Sequence, residues 1–153
     1  MSNQLPTDYQ SFIHKSRYAK YHEGHGRESW SDTVSRFMTN VVRDLVDPIT
    51  SNQLEQSILG LEVMPSMRSL MTAGAAAERD NTCMYNCSYL PVDDLKSFDE
   101  AMFILLCGTG VGFSVERQFI SKLPDVPKLF QSETNIVVKD SKEGWAKSLR
   151  QVI

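Results

Sequence analysis

N-T-C-M-Y-N-C-S-Y-L over residues 81–90, D-D-L-K-S-F-D-E-A-M-F-I-L-L over 93–106 and C-G-T-G-V-G-F-S-V-E over 107–116 make up the stretch that decides the fold. It holds all three cysteines and three of the eight glycines, and its hydrophobic period changes along it. Met84 to Leu90, aromatic and cysteine-bearing between polar residues, predicts a strand. Asp94 is placed to cap a helix in which Leu95, Phe98, Met102, Leu105 and Leu106 share a face. Gly108 stops that helix, and Val111 to Val115 predicts a second strand. The order is strand, helical crossover, glycine-rich turn, strand. It puts the thiol of Cys87 on a strand and brings the turn close to it.

Before this stretch the pattern is helical. Residues 1–10 read as a loose lead-in. Phe12, Ile13, Tyr18 and Tyr21 predict a short amphipathic helix stopped by Gly24 and Gly26. A second helix starts near Ser29 or Ser31, with Trp30, Val34, Phe37, Met38, Val41, Val42 and Leu45 at helical spacing, and Asp47-Pro48 ends it. A third opens at Ser51 or Asn52 and closes at Gly60. Met64-Pro65 initiates one more helical turn, capped by Gly74, and Ala75 to Asp80 reads as a mobile connector. Beyond Glu116, Pro124 and Pro127 punctuate a loop and Ile136 to Val138 predicts a strand. Ser141 opens a last helix with a Trp145, Leu149, Val152 stripe. That stripe is still in progress at the final residue, which predicts a truncated chain.

Composition narrows the function classes. At 153 residues the chain is long enough for a core of its own. A net charge of −3 gives no basic footprint, so nucleic acid is not an expected partner. No apolar run approaches a membrane span, and residues 1–9 lack the features of a secretory signal. Three cysteines, an odd number, do not read as a secreted disulfide framework. A cytoplasmic protein with reduced thiols is expected.

Two tempting motifs have weak support. Cys83, Cys87 and Cys107 with His22 and His25 lack the spacing of a zinc site, so no metal is expected. Gly108-Thr-Gly110-Val-Gly112 resembles a dinucleotide fingerprint, but that fingerprint runs strand, glycines, helix, and here a helix comes first. The local pattern alone favours a helix cap and tight turn over a ligand turn, and an inert buried thiol over a reactive Cys87.

Taken together, the blocks change that balance. F-I-H-K-S-R-Y-A-K-Y, R-E-S-W-S-D-T-V-S-R-F, M-P-S-M-R-S-L-M-T-A-G, Y-N-C-S-Y-L, C-G-T-G-V-G-F-S-V-E and D-S-K-E-G-W-A occur in the order found at the N-terminal end of ribonucleotide reductases. The resemblance runs from Phe12 onward and is strongest to the adenosylcobalamin-dependent, monomeric type of class II that reduces ribonucleoside triphosphates. It implies an α/β fold. Residues 1–75 would be a helical N-terminal region and 76–153 the first strands of an incomplete ten-stranded α/β barrel.

The same resemblance implies a site. Cys87, in the N-C motif, matches the cysteine that reduces the substrate ribose and ends each turnover in a disulfide with a second cysteine, here beyond the chain. Asn86 and Gly110 match substrate-contacting positions. Met64 sits where relatives often have a hydroxyl residue, and methionine contributes only its backbone there. The implied cofactor is adenosylcobalamin. The implied partners are a ribonucleotide substrate, a dNTP effector, a thioredoxin-type reductant and the remainder of the enzyme. The radical cysteine and most of the cobalamin surface would lie beyond Ile153, so the chain alone is expected to be inactive. One alternative is a class I diphosphate reductase large chain, which uses a separate radical-generating subunit. Another, from a different class, is a non-catalytic helical interaction module.

Overall fold

The computed structural model describes residues 5–153, and these form two compact units divided between Met84 and Tyr85. The first is almost entirely helical. Helix α1 spans Asp8–Arg17 and starts from a capping box: Thr7 Oγ1 accepts from the Gln10 N–H, and Gln10 Oε1 accepts from the Thr7 N–H at 3.0 Å. The helix therefore begins inside the expected lead-in, whose residues 1–4 lie outside the described residues. Tyr21 has left the helix. It belongs to β1 (Tyr21–His22), which pairs antiparallel with β2 (Gly26–Arg27). Gly24 and Gly26 have φ of +81° and +79°, conformations that glycine adopts without strain and that turn this short hairpin.

Helix α2 (Trp30–Phe37) opens from a second capping box, Ser29 with Asp32. It widens into a π-helical segment, Met38–Val42, in which the Arg43 N–H reaches back to the Met38 carbonyl at 2.9 Å. Trp30, Val34, Phe37 and Met38 form the expected stripe and are buried with Ile58, Leu70 and Ala73 as the core. Leu45, expected on the same stripe, is exposed because the chain turns after the widened segment.

Asp47-Pro48 begins a helix as well as separating two. Asp47 Oδ1 accepts from the N–H groups of Ile49 and Thr50, and Pro48 is the first residue of α3 (Pro48–Leu59). Proline fits there because a first-turn N–H has no helical partner to lose. The helix ends near Gly60, but Gly60 is right-handed and Leu61 carries the left-handed turn at φ +61°. The Leu61 N–H donates to the Ile58 carbonyl and the Glu62 N–H to the Ser57 carbonyl, a Schellman closure. Leu61 packs against the core. Helix α4 (Met67–Thr72) is capped by Ser66. The expected connector is itself helical, as α5 (Ala75–Arg79), followed by a 3₁₀ turn at Asn81–Met84.

A buried charge ties this unit together. Both carboxylate oxygens of Glu28, whose side chain is 4% exposed, face Arg36: Nε to Oε1 at 2.7 Å and Nη2 to Oε2 at 2.8 Å. Arg36 Nη1 also donates to the carbonyls of Leu70 and Ala73. Glu28 further accepts from the Lys20 N–H, His22 Nε2 and Thr33 Oγ1. Thr33 gives its one hydroxyl proton to Glu28, so the 2.9 Å contact with His14 is donated by His14 Nε2. Burial lowers the pKa of His14 against the opposing pull of Glu28.

The second unit has the expected crossover order. Strand β3 (Cys87–Pro91) leads through α6 (Lys96–Leu106) to β4 (Gly110–Ser114), and the strands pair in parallel, Cys87 with Gly110 through Pro91 with Ser114. The first strand starts three residues later than expected because Met84 ends the 3₁₀ turn. Asp94 lies just ahead of α6, where its Oδ1 accepts from the Lys96 N–H. Leu95, Phe98, Leu105 and Leu106 are exposed, whereas Asp99 is buried. Helix α7 (Arg117–Ile120) and a long segment lead to α8 (Lys142–Val152), capped by Ser141 as expected. Ile136–Val138 forms no strand, and α8 buries Ala146 while Trp145 and Val152 are exposed. Arg150 of α8 grips Asp99 Oδ2 through Nε, at 2.8 Å, and through Nη2.

Two outcomes follow. Burial raises the Glu28 carboxyl, but hydrogen bonds from Arg36, the Lys20 N–H and His22 outweigh it and hold its pKa at about 2, below an ordinary 4.5. Its stabilisation is therefore complete above about pH 4.5 and is lost as pH falls toward about 2. Glu28→Gln, which leaves Arg36 without its counter-charge, should cost about 3–5 kcal/mol at pH 7. Denaturant titration followed by fluorescence of the buried Trp30 measures both. Gly144→Ala should displace the start of α8, because a Cβ there would lie 2.1 Å from the Lys139 carbonyl oxygen. The loss would appear as fast hydrogen exchange across residues 142–150.

Candidate active site

The two strands start side by side, and that start is the candidate site. Cys87 is the first residue of β3 and is exposed, with exposed Asn86 just before it. Gly110, the first residue of β4, is its register partner. Three hydrogen bonds fasten the glycine turn to the cysteine segment. The Gly110 N–H donates to the Asn86 carbonyl at 2.9 Å, Thr109 Oγ1 to the Tyr85 carbonyl at 2.9 Å, and Ser88 Oγ to the Gly110 carbonyl at 3.1 Å. Thr109 is 1% exposed, so its bond is a buried clamp. The sequence reading missed it, since a small polar residue between two glycines carries no signal of its own.

Strand alternation decides what surrounds the thiol. Side chains alternate between sheet faces and partners in register share one, so beside Cys87 and Tyr89 strand β4 offers Gly110 and Gly112, and the next residue on that face is Ser114, opposite Pro91. Next to the thiol this face is bare of side chains on its β4 side. The turn conformation does not demand this: the left-handed residue is Gly108, at φ +84°, and a Cβ on Gly110 would make ordinary contact with the Asn86 carbonyl at 3.5 Å. What Gly110 provides is open surface beside sulfur.

The remaining cysteines have other settings. Cys83 lies in the 3₁₀ turn of the first unit, partly exposed, and Cys107 is buried at the end of α6. Met64 belongs to the first unit, half-exposed on the wall of an apolar pocket of ≈ 210 Å³ shared with Tyr9, Tyr18, Trp30 and Leu61. A groove of ≈ 520 Å³ runs between α6 and α8, lined by Asp99, Phe103 and Arg150 among others. The second unit thus gathers Asn86, Cys87 and Gly110. Among the described residues no helix is long and apolar enough to cross a membrane.

The sequence as a whole also has similar proteins. The chain is similar to adenosylcobalamin-dependent ribonucleoside-triphosphate reductases. Proteins of that name from two strains of Lactobacillus delbrueckii subsp. bulgaricus are 28% identical to it over 174 aligned positions, covering 90% of this chain. The chain spans 23% of the length of these relatives. No family model matches the sequence. No solved structure matches it. The similarity is that of a distant relative of ribonucleotide reductases, an oxidoreductase class.

The geometry fixes an order of thiol reactivity. Cys87 should react first with a thiol-specific reagent, then Cys83, and Cys107 last, because accessibility falls in that order. Peptide mapping at partial labelling reads this directly. Gly110→Ala should leave stability within about 0.5 kcal/mol, as for other open surface positions, checked by thermal melting.

Proposed function

We propose that this chain is the N-terminal part of a ribonucleotide reductase that converts ribonucleoside triphosphates to deoxyribonucleotides, with Cys87 as a redox-active thiol. The observation that carries the reading is the pairing of an exposed Cys87 with Gly110 at the start of a parallel strand pair. The named activity of the relatives supports it. In this reading the nucleotide lies on the glycine-stripped face. Asn86 and the backbone at Gly110 meet the substrate. Cys87 gives up its thiol hydrogen and one electron toward reduction of the ribose, and a second cysteine gives the same. Cys87 ends in a disulfide with that second cysteine, outside this chain, and thiol–disulfide exchange with a thioredoxin-type reductant regenerates it. Binding of dNTP effectors, like the substrate radical chemistry, belongs to the complete enzyme.

Adenosylcobalamin would supply the radical when bound. Neither the ≈ 210 Å³ pocket nor the ≈ 520 Å³ groove is lined by Cys87, Asn86 or Gly110, and in this reading the cofactor's seat belongs to the complete enzyme. The contribution of this chain is the reducing thiol and the surface that positions a nucleotide next to it.

The test uses the completed enzyme, this chain joined to the remainder found in its relatives. Cys87→Ser should abolish multiple turnover with a thioredoxin-type reductant while leaving the melting temperature unchanged, since serine cannot form the disulfide. Steady-state deoxynucleotide formation at the wild-type rate would overturn the assignment.

A further inference from the structure

Cys107 takes no part in the site around Cys87, yet it has a chemically specific neighbour. Lys142, the first residue of α8, donates from Nζ to Cys107 Sγ at 3.1 Å. The same ammonium lies over the Phe103 ring, 5.4 Å from its centroid. A cation in the first turn of its own helix is disfavoured by the macrodipole, whereas the C-terminal end of α6, where Cys107 sits, favours one. The amine is therefore held by α6 rather than by α8. Its backbone is fixed as well, by the Ser141 cap and by the close approach of Gly144 to the Lys139 carbonyl.

We infer that Cys107 and Lys142 form an oxidative cross-linking site, closed by a hydroperoxide through a sulfur–nitrogen bond. In the first step the Cys107 sulfur attacks one peroxide oxygen. The O–O bond breaks, the S–O bond of a sulfenic acid forms, sulfur loses two electrons and water leaves. In the second step Lys142, having released its ammonium proton to solvent, attacks the same sulfur. The S–N bond forms, the S–O bond breaks, and the hydroxyl leaves with an amine hydrogen as water. One thiol, one amine and one hydrogen peroxide give the cross-link and two waters. A dithiol reverses it, returning thiol and amine and becoming a disulfide itself.

Burial selects this outcome. Cys107 is 8% exposed, which admits a peroxide but hinders a second thiol, and the amine touching it is placed to attack its sulfenic acid. The bond would join the end of α6 to the start of α8, closing a covalent loop through β4, α7 and residues 121–141. It fixes the α6–α8 packing without consuming Cys87.

The experiment treats the 153-residue chain with hydrogen peroxide, digests it without reductant and maps the peptides by mass. The expected product links the Cys107 and Lys142 peptides with two hydrogens lost. It should disappear on dithiothreitol treatment and be absent in Cys107→Ser and Lys142→Arg. It should persist in Cys87→Ser, and the treated wild-type protein should melt higher. Recovery of Cys107 as an unlinked sulfur oxide, as a disulfide with Cys83 or Cys87, or in a linked product heavier by oxygen would overturn the proposal. Because mapping the wild-type protein alone decides this, a variant that fails to fold does not blunt the test.

Discussion

Two parallel strands cannot be joined by a tight turn, and that constraint organises the second unit. The chain must leave β3, cross back along the sheet as α6 and re-enter beside its own starting point. What returns to Cys87 is therefore whatever follows the crossover helix, and in this sequence that is Gly108-Thr109-Gly110. Left-handed Gly108 releases the chain from the helix, buried Thr109 fastens it to the Tyr85 carbonyl, and Gly110 completes the register. A slip of one residue would move Cys87 to the opposite face from the glycines. The clamp at Thr109 is thus as important to the site as the cysteine it never touches.

The first unit relies on a different kind of interaction. Its apolar core is modest, and a single carboxylate gathers groups from the hairpin region, α2 and, through Arg36, the end of α4. The arrangement is directional. A guanidinium with three donors engaged, a threonine whose one proton is committed and a histidine confined to donating Nε2 leave few alternative packings. Buried ion pairs of this kind contribute more to which packing forms than to how stable it is, because desolvation offsets much of their attraction.

Much of this was legible in the sequence, and the failures have physical causes. The α2 stripe, the crossover order and the juxtaposition of Cys87 with Gly110 followed from periodicity and glycine placement. Met84 and the aromatic Tyr85 look extended locally, but Met84 ends a 3₁₀ turn and β3 begins only at Cys87. Thr7-x-x-Gln10 has the pattern of a capping box, but the polar residues around it look equally like a loose lead-in. Proline at 48 signals a helix stop and a first helical turn equally well, and only Asp47 accepting two N–H groups decides between them. The Glu28 hub could not have been read at all. Its partners lie at sequence separations from 5 to 8, with the link to Leu70 at 34, and no local pattern joins them.

Leu61 carries a conflict that neither its backbone nor its side chain can resolve alone. Its left-handed φ is one that glycine adopts freely and leucine only under strain, while its side chain fills part of the core boundary. Glycine would relax the first and empty the second. A β-branched residue would worsen the backbone and fit the space no better. Such a site is locally frustrated: the optimum for one level of structure excludes the optimum for the next. Any side chain placed there must meet both demands imperfectly, and leucine is one such compromise.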